Sequence, residues 1–335
     1  MFSLKKYIIQ IQCQFKSFKS QSKIFVILIF PLFFSCDLNN VNNKNYEDNF
    51  DLNIDRFEKI FFETNDDSIN TLMNNYPFLF SNQYDISDWI AIKNDSTRID
   101  IFKKTKDVFD SISTLESEIE KIYQNTKLNF PDFVPPKIIT LNNGIDYKYK
   151  IIDSDSLILL SLDCYLGDDI LYKNIPDHIS NKMNPDFIKI DLTELISSRF
   201  VAPPNDRKFI TKLIYHGKII YLMKTISRLS SNQLLGYNAN QIKWIENNEK
   251  NIWKYFIEND LLFSTKSSLD YRFLANAPFS KFGLSIDYES PPMIGKWLGY
   301  QIVESYVKNS NKNLLEILSL DNYKLYLKSN YKSTK

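Results

Sequence analysis

The stretch from Ser290 to Lys308, SPPMIGKWLGYQIVESYVK, constrains the fold more than any other. Ser290 can cap a helix and Pro291 suits the first helical position, where no N–H is needed, so the pattern predicts a helix running to about Lys308. Met293, Ile294, Trp297, Leu298, Ile302, Val303, Tyr306 and Val307 cover more than the single stripe of a surface helix. Such a helix must be central and largely buried. Gly295 and Gly299 lie four apart on it, and each Gly costs about 1 kcal/mol against Ala in a helix interior. Close approach of another backbone is the expected compensation. The same spacing marks paired membrane helices, but Lys296, Gln301 and Glu304 interrupt any apolar span, which leaves packing inside a globular domain.

The other end of the chain reads as an export signal. Lys23 to Cys36, KIFVILIFPLFFSC, carries about eleven apolar positions after a lysine-bearing head, too few for a spanning helix and suited to a signal-peptide core. Phe33-Phe34-Ser35-Cys36 is similar to a bacterial lipobox, which implies cleavage before Cys36 and acylation of its thiol. Each acyl chain contributes about 0.8 kcal/mol per buried CH₂, and two together give stable anchoring. Residues 1–35 are therefore read as a signal peptide, 36–49 as a lipidated polar tether, and 50–330 as a single globular domain. The formal charge of +1 includes five lysines that precede Cys36, so the mature chain carries −4. That balance gives no case for a nucleic-acid partner, which wants a basic face. Of three cysteines, Cys13 is removed and Cys36 acylated, which leaves Cys164 as a small buried apolar residue and no disulfide framework.

Within the domain, Asp51 to Phe57 predicts a short strand followed by a helical turn, with further helices capped near Asp66 or Asp67 and by Asp85. Phe102, Phe109, Ile112, Leu115, Ile119, Ile122 and Tyr123 step by three and four and predict one long surface helix from about Thr97 to Asn125. After Pro131, Pro135 and Pro136 the pattern changes. Lys137 to Leu141 reads as a strand, Asn142-Asn143-Gly144 as a turn, Asp146 to Ile152 as the return strand, and Leu157 to Leu162 as a buried third strand. Phe187 to Phe200, Asp206 to Arg228 and Asn240 to Asn259 are helical, with short helices at Leu314 to Leu318 and Tyr323 to Leu327. The fold class is α+β and mostly helical, with a small central mixed or antiparallel sheet packed by several helices.

Residues that could carry chemistry are few. His178 and His216 are the only histidines, neither in a metal-ligand spacing, and no H-E-x-x-H, P-loop, dinucleotide fingerprint or G-x-S-x-G elbow occurs. His178 is expected exposed in a loop, and His216 partly buried and hydrogen-bonded within a helix that also holds Gly217, a second sign of tight helix contact. Asp163, Asp168 and Asp169 could hold a cation or act as an acid/base pair, and Glu194 could serve as a general base, but carboxylates at strand ends are more often solvated. No catalytic residue, cofactor or metal is assigned, and no pocket signature stands out.

The chain as a whole resembles the gliding-motility lipoprotein family GldB. The motifs are YPFLF at Tyr76 to Phe80, PKIITLNNGIDYKYKIIDSDSLILLSLDCYLG at Pro136 to Gly167 and IYHGKIIYLM at Ile214 to Met223. They continue with GYNANQIKWIENNEKNIWKYFIENDLLFST at Gly236 to Thr265 and APFSKFGLSIDYESPPMIGKWLGYQIVESYV at Ala277 to Val307. The resemblance implies a lipoprotein anchored to a membrane of the cell envelope, periplasm-facing or at the outer membrane. Its partners would be other proteins of the gliding machinery and of the associated type IX secretion system, which it holds or stabilises without catalysis. More faintly, the layout resembles zinc-dependent peptidases of the zincin type. There the second helix supplies a Glu before Gly, whereas here His216 precedes Gly217 and Phe187 to Phe200 has no histidine, which speaks against a working zinc site. The alternative implied by that likeness is a divergent peptidase or peptidoglycan hydrolase using His216 with Glu194 or the three aspartates.

Overall fold

The computed structural model describes residue 52 and residues 54–332, residue 286 excepted. The signal segment, Cys36 and the tether lie outside the described residues.

The alternation of apolar residues along the strands separates two apolar layers. Four strands, β1 (Ile54–Arg56), β2 (Lys137–Leu141), β3 (Ile151–Ser154) and β4 (Leu157–Ser161), form one sheet in the order β1-β2-β4-β3. β1, β2 and β4 run parallel, and β3 is an antiparallel edge strand beside β4. Ile138, Ile158 and Leu160 point into a large core, while Ile139, Leu157 and Leu159 point into a smaller one on the opposite face. β4 is buried throughout, which its unbroken apolar run requires.

The smaller layer is made by helices that follow β1: α1 (Phe57–Glu63), α2 (Ile69–Asn75), α3 (Ile86–Lys93) and α4 (Ser96–Val108). The larger holds α5 (Ser113–Asn129), α6 (Asp177–Ser180), α7 (Asp186–Ser198), α8 (Phe209–Ser227), α9 (Ser231–Leu235), α10 (Ala239–Glu258) and α11 (Ser268–Phe273). It also holds α12 (Ile294–Lys308), α13 (Leu314–Ser319) and α14 (Asn322–Ser329). Capping boxes start α3, α9, α10 and α13, each with a side-chain oxygen three residues after the cap returning to the cap N–H.

The central helix is as the glycines demand. α12 buries Ile294, Trp297, Leu298, Tyr300, Ile302 and Val303, and its main partner is α8. A Cβ on Gly299 would overlap the Leu213 carbonyl, and one on Gly217 the Gly299 carbonyl. On Gly295 it would meet the Phe273 carbonyl oxygen at 2.9 Å. All three glycines are therefore spent on backbone contact, the use that offsets their helix cost.

Four expectations need correction. The sheet has four strands, not three, and β2 does not turn back on the next segment. Tyr147–Tyr149 is a 3₁₀ turn, and β3 pairs with β4 through the Asp155-Ser156 turn. The Asn143-Gly144-Ile145 loop cannot close a hairpin because it wraps the carboxylate of Asp163, which accepts their N–H groups at 3.2, 2.7 and 2.8 Å. Gly144 and Ile145 take φ of 80° and 62° to aim them there.

The long helix is broken into α4 and α5. Phe109 is buried in the larger core, and its carbonyl, taken out of the helix, accepts from Arg56 Nη1 at 2.9 Å. Finally, α12 starts at Ile294, not after Ser290. Ser290 and Pro291 each precede a proline and are held off the helical region. The Ile294 N–H is satisfied instead by the Ser280 hydroxyl at 3.1 Å, and Ser290 donates to the Ser280 and Asp287 carbonyls.

Candidate functional site

Where α7, α8 and α12 meet, the apolar core gives way to a cluster of ionisable side chains. α7 turns Ile188, Leu192 and Ile196 inward, which places Asp191 and Glu194, one turn apart, on the adjoining stripe. His216 comes from α8 and Lys296 from α12. Glu194 Oε1 accepts from Lys296 Nζ at 3.1 Å, with the lysine side chain 17% exposed and the carboxylate 45%. Lys296 is the more buried partner of the pair. Lys296 holds the Glu194 pKa below its ordinary value against the opposing effect of burial.

His216 is half-buried, as expected, but its imidazole makes no hydrogen bond to another described residue. Burial first, and then the Lys296 charge, push its pKa down to about 4, against the pull of Glu194 and Asp270, so it is neutral at pH 7. Asp191 is pushed up by burial and held against that by Lys150, its ion-pair partner, and by the Tyr165 hydroxyl, which donates to it at 2.8 Å. Burial and the Lys296 charge lower Lys182 to about 8, and its ammonium reaches the Leu235 carbonyl at 3.3 Å and Asn276 Oδ1 at 3.5 Å. Lys212 pairs with Asp270 at 2.6 Å.

Chemically the cluster is mostly paired charges: Glu194 with Lys296, Asp191 with Lys150 and Lys212 with Asp270. A general base works best with a pKa near the operating pH. Glu194 is moved away from that range by the ammonium bound to it, and His216 by burial. Among the described residues no three His, Cys, Asp or Glu side chains stand together as a metal-binding group.

The other sequence candidates are not brought together. Asp163 is fully buried and holds the 143–145 loop, its pKa pushed up by burial to about 6 despite the three backbone N–H groups. Asp168 pairs with Lys104 and accepts from the Ile170 and Leu171 N–H groups, while Asp169 is exposed. His178 is half-buried on the short α6 rather than exposed in a loop, because the segment around it makes helical turns; its carbonyl accepts from Asn276 at 3.4 Å. Cys164 is buried and free, with burial raising its thiol pKa.

The structure also contains a cavity, which no sequence motif pointed to. About 580 Å³ of open volume lies on the smaller-core face of the sheet, walled by Phe57, Phe61, Phe62, Phe80, Tyr84 and Trp89. Leu141 and Ser161, the last residues of β2 and β4, and Phe57 and Glu58, directly after β1, form its floor, so it sits at the carboxyl ends of the three parallel strands. Open α/β sheets place ligands at that end. The available signal was the density of aromatic residues between Phe57 and Trp89, which reads equally well as packing.

A sequence profile of the family described as gliding motility protein GldB matches residues 39–333. The chain belongs to that family. No curated protein and no solved structure matches it. Membership makes this a gliding-motility lipoprotein, and so an envelope protein anchored to a membrane. No helix among the described residues is long and apolar enough to cross one.

Proposed function

We propose that the protein is a lipid-anchored, non-enzymatic scaffold that holds or stabilises other components of the gliding apparatus and its associated type IX secretion machinery. The observation that carries this reading is the state of the central cluster: the Glu194 carboxylate is tied to Lys296, and burial lowers the His216 pKa to about 4, which leaves its imidazole a weak base. Residues 1–35 act as a signal peptide, Cys36 carries the lipid, 36–49 form the tether, and 50–330 fold as one domain facing the periplasm or held at the outer membrane. The short apolar run and the Phe33-Phe34-Ser35-Cys36 pattern support the anchor.

The second reading, a divergent peptidase or peptidoglycan hydrolase, draws on the same cluster, since perturbed titratable groups gather at functional sites. One experiment separates the two. A deletion strain is complemented with the wild type, with Cys36→Ala, or with Glu194→Gln plus His216→Gln, and surface gliding is recorded beside protein abundance. The scaffold reading expects gliding with the double variant and loss with Cys36→Ala. A double variant that accumulates normally yet leaves cells immobile overturns it in favour of catalysis.

A further inference from the structure

Of the charged residues that line the aromatic cavity, Glu58, Asp88 and Asp95 are engaged within the chain. Glu58 is fully buried, pairs with Arg56 and accepts from the Thr140 hydroxyl at 2.5 Å. Asp88 accepts from the Asp85 N–H at 3.1 Å and Asp95 from the Arg98 N–H at 3.0 Å, so both carboxylates sit at helix N-termini on the exposed rim, where the helix amides offset their charge. Arg98 differs. Its guanidinium makes no hydrogen bond or ion pair among the described residues, although it is half-buried and lines the cavity.

The guanidinium also sits against a fixed loop. It lies over Gly144, where a Cβ would stand 3.8 Å from both Nη atoms, and the Gly144 loop is itself pinned by Asp163. A planar, permanently charged fork, pre-positioned and unpaired beside an apolar void, matches the bidentate recognition of a carboxylate or phosphate. The aromatic walls behind it match an apolar chain, each buried CH₂ of which adds to affinity. A volume of about 580 Å³ is within the range of small-molecule sites.

We infer that this cavity binds a single-chain anionic amphiphile, with its carboxylate or phosphate on Arg98 and its apolar chain against Phe57, Phe61, Phe80 and Trp89. The site stands at the carboxyl ends of β1, β2 and β4 and is independent of the ionisable cluster between α7, α8 and α12. A free fatty acid and a lysophospholipid present the same chemistry, and their relative affinities distinguish the two sources.

The test uses the full chain purified in a non-ionic detergent, titrated with palmitate, lysophosphatidylglycerol and 1-hexadecanol and followed by native mass spectrometry. Dibromostearate is added as a quencher of Trp89 fluorescence. The inference expects one saturable site, quenching that Trp89→Phe abolishes without abolishing the mass shift, and a roughly tenfold weaker affinity for the anionic ligands in Arg98→Gln with hexadecanol unchanged. Arg98→Lys, which keeps the charge without the fork, should fall between. Tighter palmitate names the free acid as the ligand, and tighter lysophosphatidylglycerol names the membrane lipid. Absence of saturable binding, binding that leaves Trp89 unquenched, or equal loss of the alcohol in Arg98→Gln overturns the inference.

Discussion

The two sides of the sheet solve the packing problem in opposite ways. On the larger side, Gly217 and Gly299 bring α8 and α12 backbone to backbone where they cross, Gly295 admits the Phe273 carbonyl of α11, and polar groups at the edge, such as Glu194 and Lys296, pair with one another. On the smaller side, bulky rings of α1, α3 and the Tyr76–Phe80 segment meet edge to face, as Phe80 and Trp89 do with centroids 4.9 Å apart, and leave a void. Backbone-to-backbone packing permits no intermediate fit, whereas flat rings joined at angles enclose space. The first arrangement makes a tightly joined helix pair and the second encloses a cavity.

The contrast can be broken most severely at α12. Gly299→Ala forces a Cβ into the Leu213 carbonyl, and the backbone can yield only by separating the two helices. A loss on the order of 3 kcal/mol or more is expected in denaturant unfolding. A cost below about 1 kcal/mol would show that the helices are not in contact through their backbones.

Asp163→Asn comes next. One amide oxygen cannot serve the three N–H groups of Asn143, Gly144 and Ile145 as a carboxylate does, so a loss of about 2 kcal/mol is expected. Hydrogen exchange at Gly144 and Ile145 should speed up more than at β2, because the loop is what the carboxylate holds.

The pH dependence sharpens the account of the ionisable cluster. The His216 pKa drops from 6.5 to about 4 on folding, so between those values the unfolded chain binds a proton that the folded one refuses. Its contribution to stability therefore falls as pH falls from 6.5 to 4. Asp163 acts with the opposite sign, since its folded pKa of about 6 stands above the ordinary 3.8 and the folded chain takes up the proton first. His216→Gln should remove the acid-side loss, on the order of 2 kcal/mol relative to wild type at pH 4, and leave stability at pH 7.5 unchanged apart from packing. An unchanged difference across that range would mean that the imidazole is solvated.

The mildest change tests the void. Ile92→Phe adds volume toward the cavity, and stability should stay within about 1 kcal/mol of wild type while any occupant is displaced. A large destabilisation would mean that the space is already filled by collapse of the aromatic walls.

The sequence by itself determined the elements whose cause is local. The glycines of α8 and α12 announced a close contact because a helix does not carry that cost without return. The all-apolar Leu157 to Leu162 run announced a buried strand, and the lone Cys164 a buried thiol. Tertiary structure decided what depends on residues far apart in the chain. Strand order is one case, since nothing in Asn142-Asn143-Gly144 reveals that Asp163 will take its amides in place of a hairpin. The start of α12 is another, because its cap is Ser280. Glu194 and His216 were legible as candidates, but Lys296, which holds the Glu194 pKa down and adds to the effect of burial on His216, stands 102 residues from Glu194. The cavity was least legible of all: aromatic residues look the same in sequence whether their rings close on one another or stand apart, and only the packing of α1 and α3 over β2 and β4 separates the two.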